Sequence, residues 1–232
     1  AHGNDDGGSA SGSAYIFVRS GTTWTQQAKL LASDAGSSDN FGNSVRIDGN
    51  YAIVGARYHD SAGTDSGCAY IFVRSGTTWT QQARLLASDA AQSDYFGVSV
   101  GISNNFAIVT AHGDDSPTTS GAAYIFKRSG TTWTQQIKLK ASDAATNDNF
   151  GWNAGAISGA HVIVGAYGND DAGETSGSAY IFSGSYGTST ATRQVEKWDS
   201  NINLDVSGNI YFSGDIIKNG SVINTSGAQG AQ

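Results

Sequence analysis

The chain has 232 residues, 13 basic and 20 acidic, with a formal net charge of −7. One proline, one cysteine, 31 glycines and 10% aromatics on only 14% charged residues exclude a disordered polyelectrolyte and a disulfide scaffold. The acidic balance without basic clusters argues against a nucleic-acid partner, and no run of 18 apolar residues offers a membrane-inserting helix.

Repeats dominate the chain. Ala-Tyr-Ile-Phe begins at Ala14, Ala69, Ala123 and Ala179, every 54–56 residues. Gly12–Asp39 and Gly67–Asp94 agree at 24 of 28 positions, and Gly12–Asp39 and Gly121–Asp148 at 21 of 28. Phe-Gly recurs at Phe41, Phe96 and Phe150, and Ile-Val-(Gly/Thr)-Ala at Ile53, Ile108 and Ile163. One period predicts four short strands: Asn43–Asp48, Tyr51–Ala56, Cys68–Arg74 and Thr78–Leu86. Gly49-Asn50 and Ser75-Gly76 are tight turns, and Arg57–Gly67 is a polar loop. The third strand is apolar on both faces, which suits a strand covered on both sides. Four antiparallel strands per period is the arithmetic of a β-propeller blade, which buries its faces only by stacking on neighbours.

Phe41-Gly42-Asn43-Ser44-Val45, then Ile53-Val54-Gly55-Ala56, then Gly67-Cys68-Ala69-Tyr70-Ile71-Phe72, resembles the FG-GAP repeat of integrin-α-like β-propellers; Phe150-Gly151, Ile163–Ala166 and Gly177–Phe182 are similar. The resemblance covers residues 1–183. It implies an all-β fold of propeller blades, about seven in the family, so this partial propeller is expected to have further blades upstream, the alternatives being chains that assemble to close the ring or an open array. Many family members hold calcium between the first two strands. The matching positions, Asp48-Gly49-Asn50, Ser103-Asn104-Asn105 and Ser158-Gly159-Ala160, are too poor in carboxylates to supply six to eight oxygens. The loop between the second and third strands is acidic instead. Its Asp5, Asp6, Asp60, Asp65, Asp114, Asp115, Asp170, Asp171 and Glu174 are the candidate calcium ligands, and equally the residues that satisfy turn backbone. The pairs Asp34/Asp39, Asp89/Asp94 and Asp143/Asp148 recur before a strand, with the same two readings. Trp24, Trp79 and Trp133 recur on the fourth strand as candidate sugar-stacking residues or as packing against a neighbouring blade.

Repeat similarity stops at Phe182. Residues 184–197 are expected as a linker, 198–226 as a short Gly-punctuated β segment, and 227–232 as a frayed tail. The run from Leu204 to Gly220 resembles a stretch of tail-fibre and appendage proteins of phages and large DNA viruses, where such segments interleave as trimers; this implies a homo-oligomer, a trimer through 198–226. Catalysis is not expected. His2 and His112 share one loop position, His59 lies two residues further along, and Cys68 replaces Ser13, Ala122 and Ser178 as a small buried residue. The expectation is a non-catalytic structural or adhesive protein, extracellular or on a virion surface, whose partner is a protein or glycan. A glycan-binding lectin is the alternative, and a propeller-scaffold hydrolase stands third.

Overall fold

The computed structural model describes residues 1–115, 119–184, 194–198, 216–218 and 221–223. No helix occurs among them, hence none long and apolar enough to cross a membrane.

A two-stranded antiparallel sheet opens the chain, β1 (Ala14–Ser20) with β2 (Thr23–Leu30). Three four-stranded antiparallel meanders follow. The first holds β3 (Val45–Asp48), β4 (Tyr51–Ala56), β5 (Cys68–Ser75) and β6 (Thr78–Leu85). The second holds β7 (Ser99–Ser103), β8 (Phe106–Ala111), β9 (Ala122–Ser129) and β10 (Thr132–Leu139). The third holds β11 (Phe150–Ser158), β12 (His161–Ala166), β13 (Ser178–Ser183) and β14 (Gln194–Trp198). A last hairpin pairs β15 (Ile216–Lys218) with β16 (Ser221–Ile223). The architecture is thus all-β, in sheets that repeat with the sequence. Residues 194–197, inside the expected linker, form the start of β14 and pair with β13. Lys197 stands opposite Tyr180 there, as Lys29, Arg84 and Lys138 stand opposite Tyr15, Tyr70 and Tyr124. The rest of the expected trimerising segment, and the tail, lie outside the described residues apart from β15 and β16.

Alternation along the third strand explains why it is apolar on both faces. Tyr70 and Phe72 pack with Ala14, Leu30 and Phe41 toward the preceding sheet, while Ala69 and Ile71 pack with Phe96, Val109 and Tyr124 toward the next. At each interface one fully buried phenylalanine meets a tyrosine and a second phenylalanine edge to face. Ring centroids are 5.5 and 6.0 Å apart for Phe41 with Tyr70 and Phe72, and 5.4 and 6.1 Å for Phe96 with Tyr124 and Phe126. The same pair of distances for Phe150 with Tyr180 and Phe182 is 5.5 and 6.1 Å. Each such side chain contributes about 1.5–3 kcal/mol by burial.

Glycine lets the sheets approach this closely. Gly67, at φ +78°, crosses the backbone of Phe96, and a Cβ there would sit 2.1 Å from the Phe96 carbonyl oxygen. Gly97, at φ +96°, crosses Cys68 in return, where a Cβ would lie 2.3 Å from its carbonyl oxygen. Phe96 N donates to Ser66 O at 3.0 Å across the crossing, as Phe41 N does to Ser11 O and Phe150 N to Ser120 O.

The recurring Thr-Gln-Gln also has a structural use. The register of β5 against β6 slips between Ile71 and Phe72, leaving Gln82 as the extra residue of a bulge, and Gln27 takes the same place in β2. These bulged glutamines receive the next sheet's tryptophans: Trp79 Nε1 donates to Gln27 Oε1 and Trp133 Nε1 to Gln82 Oε1, each at 3.0 Å. The preceding glutamine closes a two-point lock, Gln81 with the amide and hydroxyl of Ser33 and Gln135 with those of Ser88.

Candidate functional site at the loop end of the blades

Antiparallel order places the loops after β2, β4, β6, β8, β10 and β12 at one end of the sheets and the tight turns at the other. Of the 20 acidic residues, 15 lie at the loop end, which is therefore the acidic end.

The loops between second and third strands are built on carboxylate-to-backbone hydrogen bonds. Asp5 Oδ1 accepts from Ala10 N (2.7 Å), Asp60 Oδ1 from Asp65 N (2.8 Å) and Asp170 Oδ1 from Thr175 N (2.6 Å). Ala10, Asp65 and Thr175 each have positive φ, so the carboxylate holds a turn that the side chain alone would disfavour. Lys29 pairs with Asp6, Lys138 with Asp89 and Asp114, and Lys140 with Asp115. Asp171 N donates to Asn169 Oδ1 at 3.3 Å, and Glu174 lies in the same loop. Among the described residues no three His, Cys, Asp or Glu side chains converge as a metal site. A calcium ion at Asp6, Asp114 or Asp115 would have to displace one of the protein's own ammonium groups.

The recurring Asp pairs before each first strand fall into two roles. Asp34, Asp89 and Asp143 accept the hydroxyl proton of the interface tyrosine, Tyr70 (2.8 Å), Tyr124 (2.9 Å) and Tyr180 (2.6 Å). Burial alone would raise Asp34 and Asp89, but Tyr70, His59 and Arg84 hold the first below the ordinary carboxylate range, and Lys138 and Tyr124 hold the second there. Asp39, Asp94 and Asp148 are buried and accept from Gly36 N, Ala91 N and Ala145 N at 2.6, 2.6 and 2.8 Å. Burial, reinforced by Asp114 and Asp89, pushes the Asp94 carboxyl up to about 6. Cys68 is buried and its thiol is pushed up to about 12 by that burial.

The three tryptophans are not equivalent. Trp79 and Trp133 are half-buried struts on the preceding sheet's glutamines, and Trp133 also meets Tyr51 edge to face at 6.4 Å. Trp24 is 63% exposed.

Two constellations escape a sequence reading because each includes residues that break the repeat, His59 in the first, Tyr58, Tyr95, Trp152 and Tyr167 in the second. Ser61 Oγ and His59 Nδ1 are 2.7 Å apart, and His59 Nε2 lies 3.6 Å from Asp34 Oδ2. This has the composition of a nucleophile relay. The next amide, Ala62 N, is already bound to Ser66 Oγ at 2.9 Å, and Tyr70 and Arg84 share Asp34. The second is a ladder of rings across three sheets: Tyr58–Tyr95 (5.7 Å), Tyr95–His112 (4.8 Å, stacked), His112–Trp152 (3.9 Å) and Trp152–Tyr167 (5.9 Å). Arg57 caps it, its guanidinium carbon 4.6 Å from the Tyr58 centroid. Burial, with Arg57 nearby, lowers His112 to about 4.

Comparison with known proteins agrees with this geometry. No curated protein matches the chain. A family model described as FG-GAP repeat matches residues 24–72, 79–126 and 133–182, each match running from the tryptophan of one fourth strand to the last aromatic of the next third strand. These matches cover more than half of the sequence and coincide with the recurring sheets, and the chain belongs to the FG-GAP repeat family.

Proposed function

We propose that this chain is a non-catalytic repeat module exposed outside the cytosol, extracellular or on a virion surface, that adheres to a protein or glycan on another surface. One observation carries the reading. In the three stacked sheets the residues that recur, the Tyr-Ile-Phe strand, the Phe-Gly crossing and the Trp–Gln strut of Trp79 and Trp133, face neighbouring sheets, while Arg57, His112 and Tyr167, which differ from unit to unit, stand at the loop end. A scaffold that holds its repeats constant and varies one rim suits binding better than turnover. The resemblance of residues 204–220 to fibre and appendage proteins supports a place in such an assembly, with copies joined as trimers through 198–226. Calcium at the loop of Asp170, Asp171 and Glu174 is the metal reading that goes with it. The hydrolase reading is favoured only by the Ser61–His59–Asp34 contacts, and the occupied Ala62 amide weighs against it, because acyl transfer needs a donor for the oxyanion. Beads coated with the intact chain, spun against cell- and protein-coated surfaces, test the proposal. Retention above albumin-coated beads is expected; equal retention would remove the adhesive role.

A further inference from the structure

We propose that the open end of the ring ladder, Trp152 and Tyr167 with His112 behind them, binds a neutral sugar; this rests on the adhesive reading above and gives it a ligand class.

In a chain whose units agree with the first at 24 and at 21 of 28 positions over Gly12–Asp39, residues that differ between units are where something particular to one unit is built. His2, Arg57, His112 and Tyr167 occupy one repeat position, where only His recurs; Asn40, Tyr95 and Asn149 occupy another; Asn43, Val98 and Trp152 a third. The fold joins Tyr95, His112, Trp152 and Tyr167, drawn from all three sets, into one ladder.

Its end is open. Trp152 is 36% and Tyr167 53% exposed, and their planes meet at 77°, so an indole face and a phenol form a right-angled corner at the loop end. Behind the corner His112 is only 6% exposed, 3.9 Å from Trp152, and its buried Nδ1 has no hydrogen-bond partner among the described residues. An apolar wall beside the exposed carboxylate of Asp170 is a mixed apolar and polar site.

The surroundings choose the occupant. A pyranose presents a C–H face to an indole and a ring of hydroxyls to amides and carboxylates. Asn149 and Asn153 flank Trp152 in sequence, Asn149 O accepts from Trp152 N at 3.1 Å, and Asp170 is exposed in the adjoining loop. The 15 carboxylates of this end repel sulfated or sialylated chains. The cationic position on the ladder is already filled at its other end by Arg57 on Tyr58.

The test is a fluorescence and calorimetric titration of the intact chain with chitohexaose, cellohexaose and mannohexaose, with a heparin hexasaccharide and hexalysine alongside. Saturable binding of at least one neutral sugar is expected, with no binding of heparin. Trp152→Ala and, separately, the exposed Tyr167→Ala should each weaken it at least tenfold; Val18→Ala, at an exposed position of β1, should leave it unchanged, with all three melting as folded proteins. No saturation by any neutral sugar at millimolar concentration, preference for hexalysine, or undiminished binding in Tyr167→Ala overturns the proposal. Bead retention measured with and without the sugar separates the two levels. Retention that persists in Trp152→Ala and ignores free sugar sinks this site while leaving the adhesive role; no retention at all sinks both.

Discussion

Asp94 and His112 respond to pH in opposite senses, although both are buried at the acidic end. Burial raises Asp94 from its ordinary 3.8 to about 6, so the folded state holds its proton more tightly than the unfolded one. Its contribution is fully present below about pH 4 and is lost as pH rises through 6. His112, lowered from 6.5 to about 4, behaves the other way: its contribution is present above 6.5 and is lost as pH falls toward 4. Between pH 4 and 6.5 the two slopes oppose each other. Asp94→Asn keeps an acceptor for Ala91 N but cannot ionise. We expect it to be more stable than the parent at pH 7 by about 1–3 kcal/mol, with stability that now rises from pH 4 to 6.5. His112→Phe preserves the stack on Tyr95 and should show the reverse slope. Urea midpoints at pH 4, 5, 6 and 7 check both; parallel profiles in all three proteins would refute the opposed pair. At the same scale Tyr124→Phe removes the hydroxyl that donates to Asp89, whose carboxylate Lys138 holds ionised, and is expected to cost about 1.5–3 kcal/mol.

At the scale of the strand and turn, glycine context decides cost. Gly76 and Gly67 both have positive φ, +61° and +78°, yet a Cβ at Gly76 meets nothing within 4 Å while one at Gly67 strikes the Phe96 carbonyl. Gly76→Ala should therefore cost about 1–2 kcal/mol, the backbone term alone. Gly67→Ala must also push neighbouring sheets away from each other, and is expected to cost at least twice as much or to prevent folding, as read by chemical denaturation of the two variants side by side. The second strand, Tyr51–Ala56, was legible to the residue, and the others in that period to within two, because alternation and Gly-Asn or Ser-Gly punctuation are local. The Gly/Ser/Thr run after Ser183 hid β14, whose sequence shares little with Thr-Trp-Thr-Gln-Gln beyond the lysine opposite the tyrosine. The interface residues were legible, the Tyr-Ile-Phe strand and Phe41, Phe96 and Phe150 among them, but the polar partners that join the units were not. Tyr70 and Asp34 lie 36 residues apart, Trp133 and Gln82 lie 51 apart, and neither pair is visible until the sheets stack. The ring ladder was hidden for the opposite reason: a search for what recurs passes over Tyr95, Trp152 and Tyr167.

At the scale of the molecule, the described residues form three apolar clusters, each shared by two neighbouring sheets. Phe41, Phe96 and Phe150 each sit in one of them. Such an array is stable through its interfaces, and its cooperativity depends on the weakest of them. Phe96 belongs to the middle cluster, with residues from β4 to β9, so it couples the two halves. Phe96→Ala leaves a ring-sized void against Tyr124 and Phe126 and should cost about 3–5 kcal/mol. The form of unfolding should change as well. With the middle interface weakened, the half around Phe41 and the half around Phe150 can each keep a core when the other melts, so a single urea transition should divide into two, each with a smaller slope. Phe41→Ala weakens an outer interface instead, and should detach β1 and β2 before the remainder unfolds. Following tryptophan fluorescence and circular dichroism together distinguishes these cases, since Trp24 and Trp79 report on one half and Trp152 on the other. If Phe96→Ala merely moved one undivided transition to lower urea, the sheets would belong to a single cooperative core. The Phe-Gly crossings, the bulged glutamines and the Tyr–Asp bonds would then hold the sheets as one body rather than as neighbours joined in series.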